Sequence, residues 1–423
     1  MFTKDSICSR LENSRIKDPL LEKFIRYVKI ETTSDSQQAG ILKPTTICQL
    51  DLCRLLQAEL LGLGINDVTL DEYGFVIAKI PATKGFEDKE SILFGAHVDT
   101  SDSVSGKNVS PQLHYNYNGE TIVLADGLTI SPSTHPQLLN AIGDTIIHTD
   151  GKTLLGGDDK AGVAAIMTAI EFILKEKVDH GPIEVIFNTD EEVGTGMHHL
   201  SYDKINSKIG YCIDGCEAPE CNTECFNAYK AKIEFNGFVV HPGYARGKLI
   251  NAVVMASTFV SMLPRNESPE ATDERYGYFY VSNIEGSAEK ATISINIRDF
   301  DMPKINERIE RLKAIGGAVE AIFPGGKVTF SINKQYHNLH EALSKQPEAF
   351  EKTKQAFMNV INCIETPLIR GGFDGAELSE NGIPTMNIFN GCFSIHSKVE
   401  CVALSQMIAS TEIILELIKL WSQ

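Results

Sequence analysis

The sequence predicts an α/β protein: a mixed, mostly parallel sheet flanked by helices, interrupted by an inserted α+β lid domain. Three observations predict it. Short apolar runs alternate with stretches of helical periodicity through the first half of the chain. These runs end in acids or histidine, as Gly95-Ala96-His97-Val98-Asp99 does, and the carboxyl ends of parallel strands are where such sheets gather their sites. After Glu217 the texture changes to alternating strands, and the earlier alternation resumes beyond Lys334. The expected division is therefore a catalytic domain over 1–217 and 334–423, with a lid domain over 218–333.

Apolar residues recur at helical spacing over Leu20–Ile30 and Ile47–Leu63, predicting two early helices. Val68–Ile80, broken by Asp71–Gly74, reads as a hairpin. Ser91–Phe94 is a buried strand, and Ser101–Thr149, with its Asn, Gly and Pro, reads as irregular. Val163, Ile166, Met167, Ile170, Ile173 and Leu174 predict an amphipathic helix after Asp158-Asp159-Lys160. Ile183–Phe187 and Ile209–Ile213 are further buried strands, ending in Asp190-Glu191-Glu192 and Asp214. In the lid, Ala228–Phe235, Tyr278–Ile284 and Ala291–Ile297 alternate as strands, with helical patterns at Leu249–Leu263 and Pro303–Ile315. A helix near Leu343–Ile361, a strand at Pro384–Ile388 and a helix from Ser405 to Trp421 close the chain.

Composition narrows the function classes. The 423 residues are 43% hydrophobic and 22% charged, a globular balance. With 39 basic and 56 acidic residues the formal charge is −17, a field that repels phosphate backbones and anionic lipid. Neither nucleic acid nor a membrane is an expected partner. Met1–Lys17 is polar and does not read as a signal peptide, and no run approaches the roughly 18 apolar residues of a membrane span. The ten cysteines form no disulfide framework, so a cytoplasmic setting is expected. Cys212, Cys216, Cys221 and Cys225 cluster, but without the Cys-x2-Cys knuckle of a structural zinc site.

The polar strand ends suggest a metal site. His97 and Asp99 lie two apart on a strand and share a face, so one can ligate while the other orients the imidazole. Asp158 and Asp159 open a helix, where capping is an equally good use for them. Glu191 and Glu192 are neighbours and point different ways, so one can face a metal and the other a water. Asp214 and His396 are each as readily structural when taken singly. Together, two histidines and several carboxylates supply the mixed N/O donors of a two-metal hydrolytic site with an unligated acid for the water proton.

The motif set resembles the dinuclear-zinc family that contains glutamate carboxypeptidase, aminoacylase and succinyl-diaminopimelate desuccinylase, in its tripeptide-aminopeptidase (peptidase T) branch. The fragments run in family order over nearly the whole chain: Gly95–Thr100, Asp150–Gly156, Asp158–Gly162, Asp190–Gly194, His241-Pro242-Gly243, Ile297–Asp301 and Ile369–Gly372. The resemblance implies two zinc ions per chain. His97, Asp158 and Asp214 would hold one, and Asp158, Glu192 and His396 the other, with Asp158 the bridge. It implies Glu191 as general base and Asp99 as the residue that orients His97. It places His241, often from a partner subunit, near the developing oxyanion, Arg298 on the substrate carboxylate with Arg370 as a second candidate for that task, and Gly372 among the substrate-binding residues. A homodimer through the lid domain is implied as well. The expected reaction is release of the N-terminal residue from short peptides, with tripeptides as substrates. Competing readings are a zinc dipeptidase, acylase or carboxypeptidase, or a metal-binding relative without catalysis. Two places depart from the branch pattern, both on substrate-binding surface: Phe373 stands where Thr is usual, and Cys392-Phe393-Ser394-Ile395 precedes His396.

Overall fold

The computed structural model describes Ile7 and residues 11–423. The chain divides into two compact units. The first takes the chain to Thr223, then Glu341–Pro367 and Phe373–Gln423; the second is Glu224–His340 with Leu368–Gly372. Among the described residues no helix is long and apolar enough to cross a membrane.

The first unit is built on a seven-stranded mixed sheet. In spatial order its strands are Asp67–Leu70, Val76–Ile80, Ile183–Asn188, Ile92–His97, Ile209–Gly215, Thr385–Phe389 and Cys221–Asn222. The four strands from Ile183–Asn188 to Thr385–Phe389 run parallel. Ile92–His97, Ile183–Asn188 and Thr385–Phe389 are buried at every position, which is why they read as continuous apolar runs rather than alternating ones. Because these strands are parallel, their carboxyl ends meet on one edge. His97 lies in register with Asn188, and Gly95 with Cys212, which brings Asp214 level with His97.

The helix Gly157–Glu176 packs on Ile92–His97 and on Ile209–Gly215. Its first residues are not helical, and the regular turns start at Lys160. A Cβ at Gly162 would collide with the Ile213 carbonyl, so glycine there lets the helix start sit against the strand that carries Asp214. The expected amphipathic character is not found: Lys160–Ile170 is buried throughout. The helices Lys17–Tyr27 and Leu404–Trp421 cover the side that the spacing predicted to face water.

The Ser101–Thr149 stretch departs from the irregular reading. Gln112–His114 pairs with Ile146–His148, which pairs with Cys401–Ala403 and through it with Cys392–Phe393. Such two- and three-residue strands carry no readable periodicity, and the pairing that joins the two halves of this sheet, Ile146 with Ala403, is far apart in the chain.

The second unit is a four-stranded antiparallel sheet in the order Tyr278–Gly286, Lys290–Asp299, Asn227–Asn236, Lys327–Tyr336. Lys327–Tyr336 is a strand the sequence reading did not name, and the lid boundary expected after 333 falls inside it. Lys290–Asp299 alternates strictly, its buried Ile293, Ile295 and Ile297 facing the helices Ala252–Ser261 and Met302–Ile322. Asn251 caps the first of these helices by accepting from the amides of Val253 and Val254 at 3.0 and 3.3 Å. The unit thus has its own core, centred on Ile233, Phe235, Met255, Phe259, Leu312 and Val319.

Candidate metal centre

The parallel strand ends bring His97, Asp99, Asp158, Glu191, Glu192, Asp214 and His396 together. Asp158 is central. Its Oδ1 lies 3.1 Å from His97 Nε2 and its Oδ2 lies 3.2 Å from His396 Nε2. One carboxylate therefore offers one oxygen to each histidine. His97 Nε2 is also 3.5 Å from Asp214 Oδ1, and His396 Nε2 is 2.8 Å from Glu192 Oε2. His97 is 2% exposed while His396 is 41% exposed, so the two sides differ: one is sealed and the other opens to solvent.

Asp99 organises this cluster from below. It sits 3.3 Å from His97 Nδ1, and its two oxygens accept from the amides of Glu191 and Glu192 at 3.0 and 3.2 Å. One buried carboxylate thus fixes both an imidazole and the turn that presents two glutamates. Asp159 faces inward: Oδ1 accepts from the Gly162 amide at 3.1 Å and from Asn390 Nδ2 at 3.0 Å, while Oδ2 is buried without a hydrogen-bond partner. The donor atoms of His97, Asp158 and Glu192 lie within 4.8 Å of one another, as do those of His97, Asp159 and Asp214.

Three partners escaped the sequence reading. Lys43 Nζ donates to the carbonyls of Thr189, Thr195 and Gly196 at 3.1, 2.6 and 2.8 Å, tying down the turn that holds Glu191 and Glu192. Asp374 accepts from Asn188 Nδ2 at 2.5 Å and abuts Gly196. Glu400 accepts backbone amides of the Asp158 turn. Lys43 sits in no motif; Asp374 and Glu400 lie inside fragments noted only for their neighbours, Phe373 and His396.

The electrostatics are those of a cation site. Burial lifts Glu191 well above the carboxylate range, and the charges of Asp374, Asp214 and Glu192 add to this. Burial likewise pushes Asp214 and Glu192 up to about 7, against the opposing pull of His97 and His396 respectively. Burial would lower His97, but Asp214, Asp158 and Asp99 outweigh it and raise it well above its usual value. Hydrogen bonds to Asp158 and Glu192 raise His396 to about 10. Carboxylates crowded until they resist ionising, around imidazoles held protonated by them, form an array that a divalent cation would relieve. The donors are also the N and O types that zinc accepts, so the residues fit a two-metal site.

The other predicted site residues belong to the second unit. His241 is exposed on a short turn, and its Nδ1 accepts from the Gly243 amide at 3.1 Å, which leaves the neutral ring's proton on Nε2. Arg298 is half-buried; it donates to the carbonyls of Tyr229 and Ile297 and lies over the Tyr336 ring. Arg370 stacks between Phe226 and Tyr278 and donates to Thr272 Oγ1 at 2.8 Å and the Glu274 carbonyl at 3.2 Å. Gly372 rests on the ring of Tyr336, where any Cβ would clash. In the first unit, Phe373 is buried and packs against Gly375.

The profile of peptidase family M20/M25/M40 matches residues 148–420. The chain belongs to that family. Among its M20 relatives, the peptidase T of Listeria monocytogenes serotype 4a is 39% identical over 411 residues, covering 96% of this chain and all of the relative. The peptidase T of Clostridium perfringens is 40% identical over 404 residues, covering 95% and 98%. The fold is shared with solved M20-type structures. Aminopeptidase PepT from Bacillus cereus superposes with a TM-score of 0.76 at 22% identity, covering 96% and 99% of the two chains. A tripeptidase from Staphylococcus aureus gives 0.74 at 19% identity, covering 96% and 98%. The family resemblance expected from the motifs and the mixed α/β fold are both met.

Proposed function

We propose that this M20 chain is a two-zinc aminopeptidase that removes the N-terminal residue from short peptides, tripeptides foremost. The observation that carries the reading is the Asp158 carboxylate set between His97 and His396, beside a glutamate pair held by Asp99. Full-length similarity to proteins named peptidase T supports the peptide substrate.

His97, Asp158 and Asp214 would hold one ion, and Asp158, Glu192 and His396 the other. When bound, the zinc pair supplies an acidified water and polarises the scissile carbonyl. Glu191 is placed to accept a water proton and to deliver it to the leaving amine. Asp99 keeps His97 in the tautomer that presents Nε2 and holds Glu191 and Glu192 at fixed spacing. The Nε2–H of His241 donates to the carbonyl oxygen as it becomes negative. Arg298, with Arg370 and Gly372 beside the same surface, receives the substrate's C-terminal carboxylate.

A homodimer through the second unit belongs to this reading, supported by the exposed edge strand Tyr278–Gly286 with Tyr280 and Ile284 at its surface. A cytoplasmic setting belongs to it too, supported by the nine described cysteines, all of them free thiols. The deciding experiment offers purified protein free tripeptides, dipeptides and N-acetyl amino acids, alongside metal analysis. Tripeptides should lose their N-terminal residue, two zinc-class ions should be found per chain, and chelation should abolish turnover. Consumption of N-acetyl amino acids with tripeptides untouched would replace the aminopeptidase by an acylase.

A further inference from the structure

Glu400 is a fully buried carboxylate with no part in the steps above. Its Oε2 accepts from the amides of Leu155 and Gly156 at 2.8 and 2.9 Å, and its Oε1 from the amide of Asp158 at 3.1 Å. All three donors belong to the turn that delivers the Asp158 side chain. That turn is packed as tightly as it is bonded. A Cβ at Gly157 would come within 2.7 Å of Val402 Cγ2, 2.8 Å of Cys392 Sγ and 3.3 Å of Glu400 Oε1.

Glu400 also ends the loop that carries His396. The loop is closed on itself, with Ser397 Oγ donating to the Ser394 carbonyl at 2.6 Å and the Glu400 amide to the Ser397 carbonyl at 3.3 Å. One short segment therefore touches Asp158 twice, at its side chain through His396 and at its backbone through Glu400. Burying a carboxyl strips it of water, and here only backbone amides are bonded to it in return. An apolar residue would fill the same space without that cost, and what it could not do is grip amides with charge-assisted bonds.

We infer that Glu400 is a positioning residue of the metal centre, holding the Leu155–Asp158 amides so that the Asp158 carboxylate stands at a fixed distance from His396. The inference rests on the two-zinc reading. Glutamine at this position keeps the shape and one acceptor oxygen, but turns an N–H toward amides that need an acceptor. At least one of the three bonds is lost, and the turn loosens although every ligand remains.

The test strips wild-type and Glu400→Gln enzyme of metal, titrates each with zinc against a competing chelator, and follows amide exchange over Leu155–Asp158 and the melting temperature of the stripped forms. Wild type should bind two ions. The variant should stay folded, bind at least one ion about 10- to 100-fold more weakly, and exchange faster over Leu155–Asp158. Glu400→Asp, which keeps the charge with a shorter reach, should fall between. Equal zinc affinities in wild type and Glu400→Gln would overturn the inference alone, whereas a wild type binding no zinc would overturn the two-zinc reading and the inference with it. Should Glu400→Gln fail to fold, the stripped wild type decides: protected amides at Leu155, Gly156 and Asp158 support the clamp, and freely exchanging ones overturn it.

Discussion

The two units solve different problems with different means. In the first, the candidates for chemistry sit at the ends of buried parallel strands, at the start of a buried helix or, for His396, on a loop, and each is held by a charged or polar partner. Asp99 holds His97 and the Glu191–Glu192 amides, Lys43 holds the carbonyls of the same turn, and Glu400 holds the turn of Asp158. In the second, the candidates stand on an antiparallel sheet and its turns, exposed or half-buried, over a core that contains none of them. Charge that must be kept at one geometry demands buried support. Recognition groups need only a stable platform. Substitutions in the first unit should therefore abolish or uncouple chemistry, and those in the second should grade it.

The largest effect expected is for Asp158→Ala, which removes a donor from both metals at once. Metal analysis should find both ions lost and turnover with them, while Asp159→Ala, whose carboxylate bonds to Gly162 and Asn390, should cost mainly stability. Asp158→Ala retaining two ions and near-normal turnover would move the bridge to Asp159, whose unpartnered Oδ2 is the alternative on hand.

The next effect separates the paired glutamates. Glu191→Gln keeps the shape and removes the proton acceptor, so kcat should fall by roughly 10² to 10⁴ with both metals retained. Glu192→Gln should instead lose metal, since Glu192 Oε2 is the group facing His396 Nε2. Metal counts and kcat measured on both variants decide the roles, and reversed phenotypes would exchange them. His241→Ala tests the other unit: loss of one oxyanion donor should lower kcat about 10²- to 10³-fold on every peptide, with metal content unchanged. Metal loss in that variant would break the division of labour between the units.

Most of this arrangement was legible in the sequence because its strands are buried on both faces and stop at polar residues. An apolar run ending in His97-Val98-Asp99 or Asp190-Glu191-Glu192 states both a strand and its purpose. What was hidden depends on contacts far apart in the chain. The spacing of Val163–Leu174 indicated a helix but not that Lys160–Ile170 is buried on every side, packed against two other helices as well as the sheet. Lys327–Tyr336 is different: Val328, Phe330 and Ile332 alternate cleanly with exposed Lys327, Thr329, Ser331 and Asn333, so this strand was legible although the reading did not name it. Lys43 acts through its ammonium on carbonyls some 150 positions away, a role no local pattern encodes. Glu400 lay four residues from His396, and an acid so close to a candidate ligand was the one signal available for it.

The smallest expected effects concern the two arginines, and they sharpen what the second unit contributes. An enzyme confined to short peptides must sense the far end of its substrate, and a guanidinium facing the C-terminal carboxylate would do so electrostatically. Amidating a tripeptide should then cost about 2–4 kcal/mol of transition-state binding, read as kcat/KM, by leaving that cation poorly paired. Arg298→Ala should erase the difference by weakening the free acid far more than the amide. Arg370 differs because two of its N–H groups already donate to Thr272 Oγ1 and the Glu274 carbonyl, and its face lies on Phe226 and Tyr278. Arg370→Lys should lower stability by about 1–2 kcal/mol through the lost stacking and fork, with most of the amidation penalty intact. An amidation penalty that survives Arg298→Ala but vanishes in Arg370→Lys would assign the carboxylate to Arg370. Equal kcat/KM for free and amidated tripeptides in the wild type would remove the carboxylate sensor from the second unit altogether, and the buried Phe373 would be the first residue to examine for another selector.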